Sequence, residues 1–88
     1  EGAMMRFINA ERQYPADAWN EGIQGRVRCS FIIDTDGTVG HVSVLKGVAE
    51  SLDREAVRII SAMPRWSVGK LDSVAVPVYC VVSIAFRR

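Results

Sequence analysis

Between residues 25 and 46 apolar and polar side chains alternate on both sides of one acidic knot, Asp34-Thr35-Asp36-Gly37. Period two is the signature of a half-buried strand, because successive side chains leave a strand on opposite faces. Val27, Cys29, Phe31 and Ile33 share one face, with Arg26, Arg28 and Ser30 on the other. Asp36-Gly37 then predicts a tight turn, since glycine accepts positive φ and aspartate bonds to its own backbone. The second strand runs over residues 38–46 and turns Val42 and Val44 inward. Val39 has the wrong parity for that set, which predicts a bulge near Gly40. A lone hairpin is marginal in water, so the rest of the chain must cover its apolar face.

The knot also resembles the start of a calcium loop, which requires oxygen ligands at alternate positions and a late bidentate glutamate. After Asp34 and Asp36 the alternate positions are Thr38, Gly40, Val42 and Val44, and no acid follows until Glu50. The knot reads as a turn, with no metal site.

The flanking segments supply the cover. Residues 2–11 place Met4, Phe7 and Ile8 at helical spacing, and Tyr14-Pro15 breaks that helix. Pro15 suits the first turn of a second short helix that Gly22 ends. Residues 51–63 form the strongest helix, with Ser51 as expected N-cap and Leu52, Ala56, Ile59, Ile60 and Met63 in one stripe. Pro64 stops it, and residues 65–73 read as a loop. A last strand over 76–86 puts Val76, Val78, Cys80, Val82, Ile84 and Phe86 on one face.

Pro77 has no amide hydrogen, so it marks this strand as an edge. The hairpin followed by a helical crossover can return it beside the first strand. The fold class is therefore α+β: a three-stranded antiparallel sheet of order 2-1-3 with helices packed on one face. The outer face of the last strand is unusually apolar, with Tyr79, Val81 and Ala85 beside Ser83, and Ile32 and Leu45 across the sheet. Either a dimer or the first helix covers that face, or it is a docking edge for another strand.

Chemistry is sparse. At 88 residues, 49% hydrophobic, 24% charged and net +1, the chain reads as one globular domain, residues 1–88, with no electrostatic reason to bind nucleic acid. His41 is the lone histidine, Asp53 and Glu55 suit the positive end of a helix dipole, and no glycine-rich phosphate loop follows a strand. Arg26, Arg28, Arg87 and Arg88 read as a solvated face, and Trp19 and Trp66 as core plugs. No catalytic site and no cofactor is expected. Cys29 and Cys80 lie in strands at inward positions and read as buried thiols. If Ile33 faces Val76, however, Cys29 falls opposite Cys80 and a disulfide becomes feasible.

In order, Tyr14-Pro15, Gly22-Ile23-Gln24-Gly25-Arg26-Val27, the residue 31–39 hairpin, Val44-Leu45-Lys46, Leu52-Asp53-Arg54-Glu55-Ala56, Met63-Pro64-Arg65-Trp66 and a final strand closing on Phe86 resemble the C-terminal domain of TonB. The resemblance spans the chain from Met4 onward, and the leading helix with MPRW is similar to Bacteroidetes versions. The departures fall at Val68, at Gly47-Val48-Ala49, and at Cys29 and Cys80. The resemblance implies a periplasmic domain of an inner-membrane-anchored energy transducer, cut from a longer protein. Its partners would be the TonB box of an outer-membrane transporter and, through upstream residues, inner-membrane motor proteins. It implies that the box adds as a strand along Val78, Tyr79, Val81 and Ser83, close to Arg12, Gln13, Tyr14 and Pro15. Two alternatives stand beside it: a sensor or recruitment domain of a membrane metallopeptidase, and a homodimerisation module that exchanges its last strands.

Overall fold

The computed structural model describes residues 2–66 and 69–88. Helices α1 (Gly2–Glu11) and α2 (Ala16–Asn20) precede the hairpin of β1 (Gly25–Ile33) and β2 (Val39–Lys46). Helix α3 (Glu50–Ser61) follows, then β3 (Gly69–Leu71), β4 (Val74–Val76) and β5 (Val78–Phe86). The main sheet is antiparallel with order β2-β1-β5, the topology expected from the hairpin and crossover. Helix α3 packs on β1 and β2, and α1 and α2 pack on α3.

The core joins Val27, Cys29, Phe31 and Ile33 of β1 to Ile84 and Phe86 of β5. The α3 stripe of Leu52, Ala56, Ile59 and Ile60 closes over them, with Ile8 and Ala18 from the two short helices. At the hairpin, Gly37 adopts φ 87° and donates its N–H to the Asp34 carbonyl at 2.9 Å. The acidic side chains serve the turn. Asp34 Oδ1 accepts from Thr35 N–H, and Asp36 Oδ1 accepts from both the N–H and the hydroxyl of Thr38. Those bonds, the Thr38 hydroxyl first, hold the Asp36 carboxyl below its ordinary pKa.

The expected bulge lies one residue beyond Gly40. Phe31 alone faces His41 and Val42, and His41 takes φ 52° to make the room.

The structure corrects several expectations. Ser30 points to the outer face yet is 5% exposed, because Ser43 and Val81 flank it on both sides of the central strand. Val44 is 38% exposed despite its inward parity, because it borders an open depression between β2 and the Asp53, Arg54 and Val57 side of α3. Pro15 is the residue before α2 rather than in its first turn. Helix α3 begins at Glu50, so Ser51 lies inside it; the cap residue Ala49 has no side-chain bond, and Asp53 Oδ1 instead accepts the Val48 N–H at 2.9 Å. Of the expected 65–73 loop, residues 69–71 form β3, which pairs with β4 in a small second sheet. Ser67 and Val68 lie outside the described residues. Trp19 is no core plug; it is 44% exposed, with the Arg88 guanidinium 5.1 Å over its ring.

The β1–β5 register is also displaced by two residues. Ile33 pairs with Val78, not Val76, because Pro77 interrupts the chain just before the ladder starts. Cys29 therefore faces Val82 and Cys80 faces Phe31, diagonal neighbours on one face, and both thiols are free. Burial raises both thiol pKa values, helped at Cys29 by Asp53, so both stay protonated and weakly nucleophilic at neutral pH.

Candidate docking edge

A three-stranded sheet has two edges, and here they differ. Strand β2 carries two register shifts, a left-handed His41 and a terminal Lys46, all features that blunt an edge. Strand β5 pairs with β1 through nine consecutive residues without a shift, and among the described residues no strand pairs with its other side. In an antiparallel ladder alternate residues turn both N–H and C=O away from the partner strand, so β5 presents an unbroken row of free backbone groups.

The surroundings of that row form a groove. Gly2, Met4 and Met5 of α1 and residues Cys80, Val81, Val82 and Ser83 line an open cavity of about 580 Å³. Four consecutive strand residues can line one cavity only if the strand's backbone forms part of its wall, because their side chains alternate between faces. On the outer face Tyr79 is 64% and Val81 40% exposed, and Ser83 is exposed as well. Val78 has inward parity and is half-buried against the core. The first helix thus flanks the edge without closing it.

The segment before β1 sits elsewhere. Arg12 N–H donates to the Ile8 carbonyl, continuing the end of α1. Gln13 N–H donates to Glu55 Oε2 at 2.8 Å. The Tyr14 hydroxyl donates to the Ile23 carbonyl, and its ring stands edge-on to Trp19 at 5.1 Å and to Phe86 at 5.7 Å. Gln13, Tyr14 and Pro15 border a separate cleft against α3, about 570 Å³ in volume and lined also by the charged Arg54, Glu55 and Arg58. Within it Arg58 grips Glu55 with two bonds of 2.7 and 2.8 Å and reaches the Glu11 carbonyl at 2.9 Å. Burial raises the Glu55 carboxyl, but the Arg58 and Gln13 hydrogen bonds outweigh it and hold the group below its ordinary pKa. The same contacts raise the Arg58 guanidinium further, so the pair stays ionised.

Residues 12–15 and 78–83 therefore do not line one groove. Tyr14 instead touches Phe86, three residues past Ser83 at the far end of β5. Gly2, Met4, Met5, Cys80 and Val82 are the lining residues that sequence reasoning missed. Helical spacing assigned Met4 to the core, and nothing local to the sequence says that the start of α1 borders a cavity with β5.

Over residues 10–87 the sequence matches the family described as Gram-negative bacterial TonB protein C-terminal. The chain belongs to the TonB C-terminal domain family. This is a transport-associated domain family and not one of enzymes. The fold agrees. A solution structure of the Helicobacter pylori TonB C-terminal domain, residues 194–285, superposes with a TM-score of 0.71 at 27% identity, covering 98% of this chain and 92% of that one. A longer version of the same domain, residues 179–285, gives a TM-score of 0.65 at 22% identity over 97% of this chain and 78% of the other. No curated protein matches the chain significantly. Gly2, Met4 and Met5, which form one wall of the groove, precede the stretch that matches the TonB family.

Proposed function

We propose that this domain captures an extended segment of an outer-membrane transporter, the TonB box, as an added strand on β5. It then passes on force from an inner-membrane proton-driven motor. In this reading the chain is one domain of a longer, inner-membrane-anchored protein and works in the periplasm, in uptake of siderophores or other nutrients. The observation that carries it is the contrast between edges: β5 has an unbroken nine-residue ladder beside a groove, whereas β2 is interrupted twice. Strand addition takes its affinity from main-chain hydrogen bonds and its specificity from pockets for alternate side chains. A segment running the length of β5 ends at the Tyr14 contact, so Arg12, Gln13, Tyr14 and Pro15 would border its far end.

The test uses neighbouring prolines, Val81→Pro and Val82→Pro, since one of the two residues turns its N–H to β1 and the other turns it to the open side. The variant facing β1 should unfold or melt early. The other should stay folded by circular dichroism and bind a synthetic TonB-box peptide at least about tenfold more weakly, having lost a donor and gained a bulky ring at the interface. Undiminished binding by the folded variant overturns strand addition. Sedimentation at rising concentration separates this reading from strand exchange between two copies.

A further inference from the structure

Strands β1, β2 and β5 contain no aspartate or glutamate, yet their outer face carries Arg26, Arg28 and Lys46, with Arg87 just past the end of β5. All four are exposed. Among the described residues the ion pairs use Arg54 and Arg58 only, both on α3. Arg28 and Lys46 are direct cross-strand partners, a like-charge pairing that destabilises a sheet when nothing neutralises it. Arg26 and Arg87 line a shared depression of about 320 Å³ with Gln24 and Gly25. The chain's net charge of +1 hides this segregation: among the described residues the acids lie in the hairpin turn, the α2 region, the Glu11 and α3 cluster, and the tip between β3 and β4.

The residues between this row and the open edge are small. Arg28 pairs with Ser83 and Arg26 with Ala85, and directly paired residues share a face. A strand added to β5 would lie two strand spacings from β1, about 9.5 Å. An extended arginine and a carboxylate side chain together bridge that separation, and neither Ser83 nor Ala85 is tall enough to block the path. At the other end of the edge, Val81 and the Tyr79 ring offer apolar surface and no charge, the phenolic hydroxyl being the one polar group of the two side chains.

We propose that the arginine row reads a carboxylate on the segment added to β5, Arg28 reaching it across Ser83 and Arg26 across Ala85. The partner is thus an extended peptide with an acidic residue where it passes Ser83–Ala85 and apolar outward residues where it passes Tyr79 and Val81. This rests on the strand-addition reading and adds to it the means of fixing register, because a slip of two residues moves the acid off the arginines.

The test measures binding of four synthetic peptides to the 88-residue chain. Each has valine at alternate positions; two carry one glutamate, at the amino or the carboxyl end, and two carry glutamine in its place. One glutamate peptide should bind about three- to fivefold more tightly than its glutamine twin at low salt, the difference shrinking at high salt. Arg28→Ser should shrink the difference and Arg26→Ser with Arg28→Ser should erase it, glutamine-peptide affinity staying within the same range, and Arg28→Lys should restore part of it. Equal binding of glutamate and glutamine peptides overturns the carboxylate reading and leaves strand addition standing. Failure of all four to bind overturns both. Arginine-dependent binding to phosphatidylglycerol vesicles, without discrimination among peptides, assigns the row to a lipid surface and also overturns the proposal.

Discussion

Replacing Phe86 with alanine tests whether the last strand is held at its end by the aromatic cluster. Phe86 is fully buried, pairs with Gly25 across the ladder, and meets the Tyr14 ring edge-on at 5.7 Å. Truncating a buried phenylalanine costs about 3–5 kcal/mol through lost transfer energy and the cavity left behind. A chain of this size has a total stability of roughly 4–13 kcal/mol, so the loss takes a large share of it. The midpoint of thermal unfolding should fall by roughly 15–30 °C. Urea denaturation followed by circular dichroism gives the free energy directly. A double-mutant cycle with Tyr14→Leu should then show a coupling of about 0.5–1.5 kcal/mol for the ring pair. A loss under about 1.5 kcal/mol, or a coupling of zero, refutes the argument: the end of β5 and the Tyr-Pro break would then not be one packed unit.

Gly37→Ala should cost about 1–3 kcal/mol in urea denaturation, since it combines φ 87° with a Cβ pressed against the Trp66 carbonyl, whereas Gly40→Ala, with nothing within 4 Å, should stay within about 0.5 kcal/mol. Similar costs at both positions would remove the steric argument. Glu55 has a depressed pKa, so its contribution is present above its ordinary value of 4.5 and is lost as pH falls through the lower folded value. Glu55→Gln should therefore lower neutral-pH stability by about 1 kcal/mol and flatten the decline below pH 4.5, measured as thermal midpoints from pH 2 to 7; an unchanged acid slope counts against the Arg58–Glu55 assignment.

What the sequence disclosed and what it withheld follow from the range of the interactions involved. The hairpin was legible because alternation and Asp36-Gly37 are local, and the bulge because Val39 broke parity within the same strand. The strand order followed from connectivity and from Pro77, even though Pro77 itself lies between β4 and β5. The β1–β5 register was not legible. A displacement of two residues keeps every side chain on its face, so the pattern that located both cysteines inward could not say which residue each would meet. The β3–β4 turn escaped because Asp72 and Ser73 take φ 52° and 67° without the glycine that normally announces such a turn. Half of the groove escaped for a different reason. Met4 and Met5 acquire their position from the packing of Ile8 against the core and of Phe7 against Trp66, contacts between segments far apart in sequence.

The difference between the two edges bears on function more than the openness of either one alone. In so short a sheet an exposed edge could be a mere consequence of size, and then both edges should look alike. They do not. Counted along β2, in-register pairing with β1 never continues beyond two residues before a shift intervenes: Val39 and Gly40, then Ser43 and Val44, then Lys46. An incoming strand would find its donors and acceptors out of step after one or two bonds. Along β5 the nine-residue run from Val78 to Phe86 keeps every alternate backbone group in step. The chain thus contains the devices that suppress strand addition and uses them on one side only. The unblunted side is also the side with the groove of Met4 and Met5, and the side from which Arg26 and Arg28 are screened only by Ala85 and Ser83. Backbone, apolar wall and charge converge on β5, which is where a partner strand would gain hydrogen bonds, side-chain contacts and register together.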